Sequence, residues 1–249
     1  MFDHVTIRVS DREASRRFYD TVLATVGIDP ARVTEEFDEW RDFSIADIDA
    51  DNPLTRDLHV GFAARSGEEV DAFWRAGVEA GYESDGDPGL RPEYGEGYYG
   101  GFLLDPDGNS VEAVFGHREE PGESGIDHLW IRVTDLDASR RFWETVAPVL
   151  GFRVREPGYP GLVSVAKGNR HFALVDDERP HTEHVHLAFP VGTDEAVADF
   201  HRVAVGAGYR DNGGPGERPV YHPGYVGAFV LDPDGHNIEA VNHNRPDRG

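Results

Sequence analysis

The sequence predicts an α+β protein of two tandem domains, each running twice through the order β-α-β-β-β. Three observations predict it. The stretch Phe229-Val-Leu-Asp-Pro-Asp-Gly-His-Asn-Ile-Glu-Ala-Val241 has an earlier copy, Phe102-Leu-Leu-Asp-Pro-Asp-Gly-Asn-Ser-Val-Glu-Ala-Val114. Asp-His opens a strand-like stretch twice, at Asp3-His4 and at Asp127-His128. The spacing between landmarks also repeats: His4 to Phe18 and His128 to Phe142 are each 14 residues, and His59 to Glu112 and His186 to Glu239 are each 53. The offset between copies is 124 in the first half and 127 in the second, too long for a solenoid repeat. A chain of 249 residues has room for two such domains, each with its own core.

The elements follow in order. Val5, Ile7 and Val9 alternate with His4, Thr6 and Arg8, the pattern of a half-buried strand. Ser10-Asp-Arg-Glu13 reads as a capping box opening a helix to about Val26, with Gly27 as its stop. Residues 28–58 are acidic and weakly periodic; they predict short strands, with Thr34–Glu39 as a solvated face. His59 to Ala64 is another alternating strand. Ser66-Gly-Glu-Glu69 caps a second helix, whose apolar face is Val70, Phe73, Trp74 and Val78 and which ends at Gly81. Phe102–Leu104 and Ser110–Phe115 form a hairpin about Asp105-Pro-Asp-Gly108. The same order returns from Ile126 to Asn242, where Leu162 to Ala166 and His171 to Val175 flank Lys167-Gly-Asn169. Linker composition at 116–125 sets the domains at 1–116 and 126–243, with 117–125 joining them.

Composition narrows the partners. A formal net charge of −23 argues against nucleic acid or an anionic membrane surface. The chain has no cysteine, hence no disulfide framework and no thiol catalysis. It shows no signal peptide and no apolar run that could span a bilayer, so a soluble cytoplasmic protein, monomer or homodimer, is expected.

The chemistry lies in a repeated His, His, Glu set. Strand alternation places His4 with Thr6 and Arg8, His59 with small Gly61 and Ala63, and Glu112 opposite Val111 and Ala113; His128, His186 and Glu239 repeat the pattern. A carboxylate inside Ser-Val-Glu-Ala-Val is costly to bury without a partner. Two imidazoles and a carboxylate would hold a divalent metal with coordination positions left open for substrate. His184 shares a face with His186, but the 53-residue register selects His186.

The Asp-His opening, the His-Val-Gly-Phe and His-Leu-Ala-Phe strands and the Asp-Pro-Asp-Gly…Glu-Ala-Val hairpin resemble the vicinal oxygen chelate superfamily of glyoxalase I, extradiol dioxygenases and bleomycin-resistance proteins. The resemblance covers nearly the whole chain. It implies paired βαβββ modules forming a curled eight-stranded sheet around a metal-binding cup, with ligands on the first, fifth and eighth strands. Those positions give His4, His59 and Glu112, and His128, His186 and Glu239. The cups close either within each repeat, the arrangement expected here, or by exchange, joining His4 to His186 and Glu239. Any imidazole ligand should then lie about 2.0–2.3 Å from the ion.

Departures from the family pattern narrow the reaction. Glyoxalase I uses a fourth ligand, a glutamate on the fourth strand. Here the corresponding positions fall at Ala173 and within Phe43-Ser-Ile-Ala46. Extradiol dioxygenases carry a tyrosine three residues before the hairpin Asp-Pro, where this chain has Phe102 and Phe229. Before each hairpin stand Tyr94 and Tyr98, matched by Tyr221 and Tyr225, with His222 opposite Gly95. These residues, with Glu112 and Glu239, are the candidates for binding or protonating a substrate. Since His222 occurs only in the second repeat, that repeat is the better catalytic candidate. The expectation is a metal-dependent lyase, isomerase or oxygenase that chelates a small oxygen-rich substrate on Fe, Zn, Mn, Ni or Mg. The alternative is a protein that only binds a small molecule or antibiotic.

Overall fold

The computed structural model describes residues 1–117, 124–158, 160–168 and 170–244. Most of the expected linker, residues 118–123, and Asn169 of the expected Lys167-Gly-Asn169 turn lie outside the described residues. The elements run β1 (His4–Val9), α1 (Arg12–Leu23), β2 (Arg32–Val33), β3 (Asp38–Trp40), β4 (Phe43–Asp47), β5 (His59–Ala63), α2 (Gly67–Glu79), β6 (Ser84–Leu90), β7 (Tyr99–Leu104) and β8 (Ser110–Phe115). The second repeat gives β9 (Ile126–Arg132), α3 (Leu136–Leu150), β10 (Arg153–Arg155), β11 (Leu162–Lys167), β12 (Arg170–Val175), β13 (His186–Pro190), α4 (Asp194–Gly206), β14 (Arg210–Glu217), β15 (Val226–Leu231) and β16 (Asn237–Asn242). The predicted β-α-β-β-β order therefore occurs four times.

The strands form two eight-stranded sheets, in the orders β14-β15-β16-β13-β1-β4-β3-β2 and β10-β11-β12-β9-β5-β8-β7-β6. This corrects the expectation that each cup closes within one repeat. The first βαβββ module shares a sheet with the fourth, and the second with the third. Two compact units result: Met1–Val5 with Arg132–Arg179 and Val185–Gly249, and Thr6–Ile131 with Pro180–His184.

In the second of these units, α1 and α2 cover an aromatic core. Phe18 meets Tyr82 edge-on at 4.8 Å between ring centroids, and Tyr19 lies 4.8 Å from Phe43, which meets Phe62 edge-on at 5.3 Å. The other unit repeats the scheme with Phe142 against Tyr209 at 4.8 Å and Trp143 against Phe172 at 4.9 Å.

Ser66 caps α2 as expected, but the start of α1 differs from expectation by one residue. Asp11, not Ser10, caps α1, its carboxylate accepting from the Ala14 amide at 2.9 Å. Ser10 instead bonds Asp107 in the turn of the β7–β8 hairpin, the backbone amide at 3.0 Å and the hydroxyl closer still. Asp135 caps α3 in the same way, and the residue before it, Thr134, bonds Asp234. Each hairpin turn is thereby tied to a helix entry. The turn itself is held by a buried carboxylate: Asp105 accepts from the Asp107 and Asn109 amides at 2.9 and 2.8 Å, and from the Tyr19 hydroxyl at 3.0 Å. Gly108 supplies the left-handed residue (φ 88°) that ends it.

Two further expectations change. Asp38 is not on a solvated face; it is buried, 2.7 Å from the Arg12 guanidinium. The buried stripe of α2 is Val70, Phe73 and Gly77, while Val78 is 38 % exposed. Leu103 occupies the space beside Gly77: a Cβ at Gly77 would lie 2.3 Å from Leu103 Cδ1. Gly77→Ala should therefore destabilise the chain by about 1–3 kcal/mol despite alanine's better helix propensity. Chemical denaturation checks this, and Leu103→Val, which removes the obstructing methyl, should make the double variant more stable than the two single losses add up to.

Candidate metal centres

Two sets of His, His and Glu converge. His4 Nε2 and His186 Nε2 are 3.1 Å apart; Glu239 Oε2 lies 3.1 Å from the latter and 3.7 Å from the former. In the other unit, His59 Nε2 lies 3.1 Å from Glu112 Oε2 and 3.2 Å from His128 Nε2, which is 3.3 Å from the same carboxylate oxygen. All six expected ligands thus occur in these two clusters, grouped by exchange rather than within repeats. His184 is in neither: it sits at a left-handed backbone (φ 55°) before β13, its carbonyl accepting from Thr55.

Strand pairing makes the convergence. In the Glu112 site, β5 lies between β8 and β9, with Gly61 opposite both Glu112 and His128. The missing side chain at Gly61 is where the His128 ring lies, since a Cβ there would be 2.4 Å from His128 Cε1. Glycines also admit the carboxylates: a Cβ at Gly100 would lie 2.3 Å from Glu112 Oε1, and one at Gly227 would lie 2.6 Å from Glu239 Oε1.

Further groups orient each set. Tyr98 donates to Glu112 Oε1 at 2.8 Å and Tyr225 to Glu239 Oε1 at 2.6 Å, leaving each Oε2 to the cluster. Burial, then the adjacent carboxylate, pushes both phenols far up, so they stay protonated donors. Asp3 accepts from His4 Nδ1 at 2.9 Å, and Asp127 from His128 Nδ1 at 2.8 Å. Each Asp holds a second imidazole, His243 Nε2 at 2.6 Å on Asp3 and His117 Nδ1 on Asp127. His222 reaches His243 Nδ1 at 2.8 Å and does not join the His4, His186 and Glu239 cluster. Tyr94 and Tyr221 are each 48 % exposed and pack on Tyr98 and Tyr225. Phe102 and Phe229 lie beside His59 and His186, 6.1 and 6.2 Å between centroids.

Sequence reasoning missed Asp3, Asp127, His117 and His243 as parts of the site. The signal was present: each Asp-His pair recurs intact, and a histidine follows each Glu-Ala-Val within a few residues.

The donor sets fit a metal ion. Three donors about 2.1 Å from one ion, at octahedral to tetrahedral angles, stand roughly 3.0–3.4 Å apart, close to the spacing found. A carboxylate can only accept, so Asp3 and Asp127 fix protons on Nδ1 of His4 and His128 and turn Nε2 toward the cluster. In each set that imidazole lone pair and the carboxylate then face one point, an arrangement that a positive charge stabilises.

Ionisation shows the same demand. Burial alone would raise Glu112, yet His128 and His59 hold it down to about 2. Burial alone would lower His128, yet Asp127 and Glu112 push it up to about 9. A proton on His128 thus supplies positive charge to this set. His128's raised value contributes stability below its ordinary range, near 6.5, and this is lost as pH rises through about 9. Glu112's lowered value contributes stability above about 4.5, lost as pH falls toward about 2. A metal ion bound here would have to displace the His128 proton. Affinity at this site should therefore rise with pH until about 9, with proton release detected by calorimetry in buffers of different ionisation enthalpy.

The model of the Glyoxalase/Bleomycin resistance protein/Dioxygenase superfamily matches residues 1–113 and 125–240, and the chain belongs to that superfamily. Among solved structures it resembles glyoxalase I from Zea mays (16 % identity, TM-score 0.69, covering 97 % of this chain and 92 % of that one). A provisionally assigned dioxygenase from Bacillus subtilis is similar too (13 % identity, TM-score 0.65, covering 98 % and 85 %). At these identities the likeness is one of fold. No curated protein matches the sequence. No helix among the described residues is long and apolar enough to cross a membrane.

Proposed function

We propose that the chain is a divalent-metal-dependent enzyme acting on a small oxygen-rich substrate, as a lyase, isomerase or oxygenase. One observation carries the reading: both His, His, Glu sets converge complete, each braced by a tyrosine and an aspartate. A protein that merely sequestered a ligand would have no use for two such buried, charged sets, whose assembly is costly unless an ion sits among them. When bound, the metal supplies a Lewis acid for two neighbouring substrate oxygens.

The protein's own groups divide the remaining work. His4 and His128 are held in one tautomer by Asp3 and Asp127. Glu112 and Glu239 offer carboxylates beside the reacting centre, fixed through their outer oxygens by Tyr98 and Tyr225 respectively. Those carboxylates are the bases that move a substrate proton, and the tyrosines remain donors. His222, two hydrogen bonds from Asp3, serves the Glu239 site from its edge.

Glutathione-linked glyoxalase chemistry is not proposed. The fourth strands of the modules in question, β4 and β12, carry no glutamate, and Ala173 stands where one is expected. The phenylalanines beside His59 and His186 disfavour catechol cleavage, which the family performs with a tyrosine at that position.

Metal analysis of anaerobically purified protein should find two divalent ions per chain, one in His186→Ala or His59→Ala and none in the double variant. Steady turnover of the methylglyoxal–glutathione hemithioacetal, abolished by Glu239→Gln or Glu112→Gln, would overturn the exclusion of glyoxalase chemistry. Tight ligand binding that never turns over and survives the double His→Ala change would instead show a binding protein.

A further inference from the structure

The two centres differ in what surrounds them. Trp130 is the cross-strand partner of His59, so both side chains rise from the same face of the sheet, and the rings meet edge-on at 6.4 Å. Tyr94 meets Trp130 edge-on at 5.8 Å and Tyr98 at 5.3 Å. Tyr94 is 48 % exposed and Trp130 half-buried, so apolar ring surface is left open to water beside the ligands of the Glu112 site. Neither ring holds a donor of the cluster in place; Asp127, Tyr98 and Ser110 do that. At the position matching Trp130 in the other repeat stands Thr6, whose hydroxyl is engaged by Ser44 at 2.7 Å. The Glu239 site has Tyr221 against Tyr225 and no tryptophan at that position.

Aromatic faces beside open coordination positions select a planar, apolar substituent, through stacking and removal of ring surface from water. We infer that the Glu112 site takes a chelating substrate with an aryl group next to its two oxygens, that Trp130 and Tyr94 form the wall recognising that group, and that the Glu239 site lacks this preference. The inference rests on the metal-dependent reading above and assigns a substrate class to one of its two centres. Duplication would then have yielded one chain with two specificities.

Two hydroxamates test it, because they share one chelating head and differ only in the attached group. Benzohydroxamate and acetohydroxamate are titrated by calorimetry into zinc-loaded protein. In His186→Ala, which keeps the Glu112 site, the aryl compound should bind at least tenfold tighter than the alkyl one. In His59→Ala, which keeps the Glu239 site, the two affinities should lie within about twofold. Trp130→Thr, made in the His186→Ala background, should bring the ratio down to that of the Glu239 site. Tyr94→Ser, at a position 48 % exposed, should lower it in part. Equal ratios at the two sites, a ratio indifferent to both wall variants, or failure of both hydroxamates to bind protein that retains its zinc would overturn the inference and leave the metal centres standing. Protein that takes up no zinc would overturn the reading beneath it.

Discussion

Lone pairs of imidazole nitrogens and a carboxylate oxygen turned toward one another within about 3–4 Å are stabilised by a positive charge among them. Glycines, aspartates and tyrosines near the two centres serve that juxtaposition. Glycines at 61, 100 and 227 vacate the space the donors fill. Asp3 and Asp127 decide which nitrogen of each first-strand histidine carries a proton, and Tyr98 and Tyr225 take the carboxylate oxygen that the cluster does not use. The opposed shifts of Glu112 and His128 express the same constraint in protons.

The surrounding architecture follows from it. A histidine on the first strand of one module must meet a histidine and a glutamate on the first and fourth strands of another. Placing those strands side by side fixes the sheet orders, in which β13 stands between β16 and β1, and β5 between β8 and β9. The hairpins that carry Glu112 and Glu239 are anchored at their far ends by buried aspartates, and their turns are tied to the starts of α1 and α3. Each carboxylate is thereby held on a rigid strand rather than a loop.

Duplication preserved this framework while the surroundings diverged. Behind His59, Ser110 accepts from Nδ1 at 3.1 Å and donates its own hydroxyl to Asp85 at 2.6 Å. The matched residues Asn237 and Asn212 form a neutral amide pair. His222 extends the chain of imidazoles at one centre, where the other has Gly95. Trp130 stands at one centre where the matching position of the other repeat has Thr6.

Much was legible in the sequence because it is local and periodic. Alternating strands, helix stops, the Asp-Pro-Asp-Gly turns and the six metal-binding candidates all follow from spacing within one repeat. Strands such as Ser84–Leu90 and Arg210–Glu217 were not legible, because their Gly, Pro and Asp content carries no β pattern and backbone pairing to a neighbour makes them strands. The burial of Asp38 depends on Arg12 arriving from another element. Above all, the sequence by itself determined which residues are candidate ligands and on which strands they lie, while only the tertiary structure decided which three meet. The reason is physical: two copies of one module offer equivalent edges, so the repeat is satisfied equally by pairing within or between copies. The choice depends on long-range strand packing that no local spacing records.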